Sequence, residues 1–170
     1  MRKFFRGGTF FVIFVINTVL LSKTEVLFSP EDRPAKKLIS LIEAAKSKIH
    51  AAVYLITDKR IADALTKAKS RGVDVQVVTD KSTIEGTYGK VVQLKSSGIP
   101  VFIYNFLAAF SGWEIGRRAF YYQAPAIMHN KFAIIDDKTW TGSFNWTRSA
   151  DYKNQENVVI LDEKRSMRKI

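Results

Sequence analysis

The chain has 170 residues, of which 46% are hydrophobic and 25% charged, a balance that fits one domain with its own core and excludes a disordered polar tail. It has no cysteine, which excludes a disulfide framework, thiolate metal sites, a cysteine nucleophile and a lipoprotein anchor. A net charge of +11 points to an anionic partner: nucleic acid, an anionic membrane surface, or both.

Residues 1–22 stand apart. Arg2, Lys3 and Arg6 precede an uncharged run over 9–21. That run is shorter than the roughly 20 apolar residues of a membrane span, and basic-then-apolar is the order of parts in a signal peptide. Val19, Leu20, Leu21 and Ser22 lack the small-x-small pattern of a cleavage site, so an uncleaved N-terminal membrane anchor is the alternative. The expectation is a signal peptide or anchor over 1–22, a single domain over 23–170, and an exported protein, periplasmic or secreted. Most of the positive charge lies outside 1–22, so basicity belongs to the domain.

A strand is expected at 25–28, then a turn through Ser29, Pro30, Glu31 and Asp32. Leu38, Ile39, Leu41, Ile42 and Ala45 make a helical stripe in 34–47. Ile49, Ala51, Val53 and Leu55 alternate in a strand over 48–56. Ile61, Ala62, Leu65 and Ala68 mark a helix over 59–70, stopped at Gly72. Val73, Val75 and Val77 begin a strand that ends at Asp80, a third helix is expected over 87–97 before Gly98, and a strand follows over 99–104. This alternation predicts an α/β fold: a mixed, largely parallel β-sheet with helices on both faces. Residues 105–128 hold Phe106, Phe110, Trp113, Phe120, Tyr121 and Tyr122 with Gly112, Gly116, Arg117 and Arg118, and no period holds through them, so a long loop is expected. Strands over 127–135, 139–141 and 156–161 complete the domain.

The chemistry-bearing stretch runs from His129 through Lys131, Asp136, Gly142, Ser143 and Asn145 to Glu156. His129 and Lys131 are two apart in a strand-like run and share a face. Gly142 and Ser143 allow close approach of backbone to a ligand, and Ser143 and Asn145 add hydrogen-bonding groups. A histidine, a lysine, a hydroxyl and an amide aimed at one point suit a tetrahedral oxyanion, most simply a phosphate. The histidine is then a candidate nucleophile or general acid. No cluster of carboxylates or histidines has metal-ligand spacing, so no cofactor and no metal is expected.

His129-x-Lys131-x4-Asp136 followed by Gly142-Ser143-x-Asn145 resembles the signature of the phospholipase D superfamily. The likeness extends over roughly 25–162 and is nearest to the short, single-motif bacterial nucleases and the rickettsial phospholipase-like proteins; the mitochondrial cardiolipin hydrolase branch is similar but more distant. Five residues separate Asp136 from Gly142, one fewer than the usual six. The resemblance implies a phospholipase D-like sandwich and a two-step, metal-free phosphodiester cleavage. It implies that His129 forms a phosphohistidine, that Lys131, Ser143 and Asn145 hold phosphate, that Glu156 orients His129, and that Asp136 is structural. The resemblance also implies a second histidine to serve the leaving group. His50 is followed two residues on by Ala52, not lysine, so that histidine is expected to be His129 of another subunit, in a homodimer with a composite active site.

The motif leaves the substrate open. The basic excess favours DNA or RNA, and Trp113, Arg117 and Arg118 are candidate contacts for bases and backbone. The same aromatic residues suit a phospholipid surface. The expected function is a non-specific endonuclease; the alternative is a phospholipase D acting on phosphatidylcholine or a similar lipid. A non-catalytic nucleic-acid or membrane binder is a third class, and it has no need of the complete motif.

Overall fold

The computed structural model describes residues 23–85, 88–104 and 126–162. The N-terminal segment 1–22 and the aromatic stretch over 105–125 lie outside these residues, as do Trp113, Arg117 and Arg118. No helix among the described residues is long and apolar enough to cross a membrane.

Seven strands form one mixed sheet. They are β1 (Lys23–Ser29), β2 (Lys48–Val53), β3 (Asp74–Asp80), β4 (Val101–Tyr104), β5 (Lys131–Ile135), β6 (Lys138–Gly142) and β7 (Glu156–Asp162). Their order across the sheet is β1-β7-β6-β5-β2-β3-β4. The βαβ part, β2-β3-β4, is parallel, as its helical crossovers require. The other pairings are antiparallel, joined where β2 meets β5 in the register Val53↔Lys131, Ala51↔Ala133, Ile49↔Ile135. The α/β class is as expected, with parallel pairing confined to these three strands.

Helix α1 (Pro34–Ala44) opens on a proline, which suits a first helical position because its missing N–H would be unpaired there, and buries Ala35, Leu38 and Ile42 at helical spacing. Asp58 caps α2 (Lys59–Ser70), accepting the Arg60 N–H at 2.9 Å, and Ile61, Ala62, Leu65 and Ala68 face the core. The helix expected over 87–97 is shorter, α4 (Val91–Ser96): the Lys90 N–H is spent on the Ile56 carbonyl at 3.0 Å. Two single-turn helices had no periodic signal, α3 (Ser82–Glu85) and α5 (Arg148–Tyr152); Thr147 caps the latter by accepting the Ala150 N–H at 3.2 Å.

The core lies between these helices and one sheet face, and holds Ile49, Val53, Val75, Val77, Ala133, Ile135, Val158 and the fully buried rings of Trp140, Phe144 and Trp146. Truncating a ring of this kind to alanine costs about 3–5 kcal/mol. No described helix lies over the other face, where Val26, Phe28, Phe102, Phe132 and Ile134 remain exposed. Helices were expected on both faces; among the described residues only one is covered.

Candidate active site

The strand expected over 127–135 begins at Lys131; residues 126–130 approach it without regular pairing. Two bonds hold that approach. The Met128 N–H donates to Asp80 Oδ2 at 3.0 Å, and the Tyr54 N–H donates to the Asn130 carbonyl at 2.8 Å. His129 sits between them, exposed, with its ring 4.8 Å from the Tyr54 ring and tilted 59° to it. Among the described residues, the His129 ring makes no hydrogen bond.

Lys131 is buried, and its Nζ donates to the His129 carbonyl at 2.7 Å while lying 5.0 Å from the centre of the Tyr54 ring. Histidine and lysine therefore both lie against one tyrosine, Tyr54. Burial pushes the Lys131 ammonium below its ordinary value, and the Glu156 charge partly opposes this. A desolvated cation beside an exposed imidazole is the pairing that attracts a phosphate oxygen to a nitrogen nucleophile.

The third element is the loop after β6. Gly142 has φ +150°, and a Cβ there would lie 2.1 Å from the Asn157 carbonyl oxygen, so the close strand approach requires glycine. Ser143 Oγ accepts the Asn157 N–H at 3.1 Å and donates to Glu156 Oε2 at 2.5 Å, and Asn154 Nδ2 donates to Glu156 Oε1 at 3.0 Å. Glu156 was expected to orient His129. The structure commits its two oxygens to Ser143 and Asn154 and sets its charge on Lys131. Asn145 Oδ1 is buried without a hydrogen-bond partner. Trp146 anchors this loop: its N–H donates to the Leu55 carbonyl, and its carbonyl accepts from the Thr57 and Asp58 N–H groups, each at 3.0 Å. This brings the loop to the segment that follows Tyr54.

Asp136 lies at the other end of β5, in the left-handed region at φ 52°. Its carboxylate accepts the N–H groups of Lys46, Ser47 and Lys48, each at 2.9 Å, closing the turn between α1 and β2. Burial alone would raise this carboxyl, but the three donors outweigh it and hold it below the ordinary range. His50 also lies away from His129. It is three residues from Val53, Lys131's partner on β2, and on the opposite sheet face, with Nε2 2.7 Å from Asp74 Oδ2. Among the described residues, no group of three or more histidines and acids could hold a metal.

Sequence reasoning missed Tyr54 and Asp80. Both stand just at or beyond the carboxyl ends of parallel strands, the edge where open α/β sheets place ligands, and that position was the available signal.

Residues 38–170 match the family described as "Cardiolipin synthase, PLD-like domain". The chain belongs to the phospholipase D superfamily. It is similar to the phospholipase D of Rickettsia felis, with 33% identity over 150 residues, 88% of this chain and 66% of that protein. It is 29% identical over 128 residues to the human mitochondrial cardiolipin hydrolase, covering 75% of this chain and 44% of that one. The chain thus spans just under two thirds of the rickettsial relative's length. Among solved structures it resembles Nuc from Salmonella typhimurium, described as a phospholipase D family member, at 32% identity, 84% coverage of both chains and a TM-score of 0.66. NucT from Helicobacter pylori is similar at 25% identity, covering 84% of this chain and 87% of that one, with a TM-score of 0.67.

Proposed function

We propose that the chain is a phosphodiesterase that cleaves nucleic-acid phosphodiester bonds through a phosphohistidine on His129. The observation that carries this reading is the exposed His129 ring beside the buried Lys131 ammonium, both against Tyr54. His129 attacks phosphorus, a P–N bond forms, and the P–O bond to the leaving group breaks. Lys131 balances charge on the phosphoryl oxygens, and Ser143 and Asn145 are the further candidate contacts to them. A second histidine protonates the leaving oxygen, then takes a proton from the water that breaks the P–N bond. His50 is on the wrong face and tied to Asp74, which supports His129 of a second copy in this role and a homodimer with a composite site. The net charge of +11 supports a polyanionic substrate. The pattern of 1–22 supports an exported or membrane-anchored enzyme.

A second reading is favoured by the names of the relatives, phospholipase D and cardiolipin hydrolase: the same chemistry on a phospholipid such as phosphatidylcholine. The test is cleavage of fluorescent single-stranded DNA in excess EDTA, beside head-group release from phosphatidylcholine vesicles, with His129→Ala in both. DNA cleavage by the wild type alone supports the nuclease. Head-group release without DNA cleavage overturns it in favour of the lipid reading.

A further inference from the structure

We infer that Asp80 is a positioning residue for His129, the key member of a cradle formed with Thr79 and Thr83 that sets where the imidazole stands. This rests on the reading of His129 as nucleophile. Asp80 ends β3 and is 1% exposed. Its Oδ1 accepts from Ser82 twice, from the N–H at 2.9 Å and the hydroxyl at 2.6 Å, which suffices to start the single turn of α3. Its Oδ2 does something else: it takes the N–H of Met128, the residue before His129, at 3.0 Å. Lys131 is the first residue of β5 in the ladder with β2, so the sheet does not hold the Met128 peptide.

The opposite side of His129 depends on the same segment. The Tyr54 N–H holds the Asn130 carbonyl, and the Tyr54 ring carries the His129 ring. The Tyr54 carbonyl in turn accepts from the Thr83 hydroxyl at 2.8 Å and the Thr79 hydroxyl at 3.2 Å. The single Thr79 hydroxyl proton is shared, lying nearer the Val53 carbonyl at 2.8 Å, and this hydroxyl is 2.9 Å from that of Thr83. The residues flanking His129 are thus pinned directly by Asp80 on one side and, through Tyr54, by two buried hydroxyls on the other. Burial alone would raise the Asp80 carboxyl; the Ser82 and Met128 donors hold it below the ordinary range, so it is an anionic acceptor at neutral pH. A nucleophile displaced by an ångström loses about a hundredfold in rate, so the device acts on the chemical step more than on binding.

The experiment compares Asp80→Asn, Ser82→Ala and Thr83→Val in the full-length chain. Asp80→Asn lowers kcat about 10- to 100-fold per folded molecule, with KM within about twofold, and slows single-turnover phosphorylation of His129 by the same factor. Ser82→Ala weakens α3 but leaves kcat within about twofold, because the Met128 bond survives. Thr83→Val lowers kcat less than Asp80→Asn, because Thr79 still holds the Tyr54 carbonyl. A readout without substrate accompanies these: the NMR cross-peaks between the His129 and Tyr54 rings weaken in Asp80→Asn and persist in Ser82→Ala. Unchanged cross-peaks and unchanged kcat in a folded Asp80→Asn protein overturn the proposal and leave Asp80 as a cap of α3. If the wild type cleaves no phosphodiester, the functional reading fails while the cross-peaks still test the positioning.

Discussion

The two ends of β5 carry residues of the same motif and use them in opposite ways. At the lower end, Asp136 spends its carboxylate on three backbone N–H groups and closes a turn. At the upper end, His129 makes no hydrogen bond through its ring among the described residues, and the Lys131 ammonium is held by one carbonyl in a desolvated place. Polar groups in a folded chain are normally satisfied, so a satisfied motif residue reads as structural, while one held in position but unspent reads as chemical. Membership of a motif does not itself distinguish the two.

The largest effect that separates the ends is on turnover. His129→Ala should lower kcat/KM at least about a thousandfold while the thermal midpoint moves by only a few degrees, read by steady-state kinetics and circular dichroism. Comparable losses of activity and stability would erase the contrast. Lys131→Met should follow, with about a 100- to 1,000-fold loss, and with stability equal or higher because a desolvated ammonium is removed. Because burial depresses Lys131, the alkaline limb of the wild-type rate profile should fall below the ordinary lysine value of 10.5 and move upward in Lys131→Arg.

The lower end should respond the other way. Asp136→Ala should cost about 2–3 kcal/mol in denaturant unfolding, with turnover per folded molecule within about twofold of wild type. A large loss of kcat in folded Asp136→Ala would move that residue into the chemistry. The smallest effect is on acid stability. The folded carboxyl of Asp136 lies below its unfolded value, so its contribution is complete above about pH 4 and is lost as pH falls through the folded value. Unfolding free energy should therefore fall less steeply with acidification in Asp136→Asn.

What was legible in the sequence follows from how local each signal is. Alternating apolar residues revealed β2 and β3, and helical stripes revealed α1 and α2, because both periods are written in consecutive residues. Helices α3 and α5 span four and five residues, too few for a stripe, and rest on acceptors at Asp80 and Thr147. The expected strand over 127–135 begins only at Lys131, because the Met128 N–H bonds to Asp80 rather than to a strand. His129 and Lys131 announce themselves by spacing. Tyr54 and Asp80 do not, since the Met128 bond joins residues 48 apart and the Tyr54 contacts cross from β2 to β5. The partners of Glu156 were equally hidden, set by the side-chain geometry of β7 and the Ser143 loop.

The most direct test of His129 as the nucleophile is to quench the reaction in base during turnover and locate the phosphoryl group by mass spectrometry. The account predicts an acid-labile phosphoryl adduct on His129, chased by water and absent from His129→Ala. An adduct on another residue, or full turnover by His129→Ala, would contradict it.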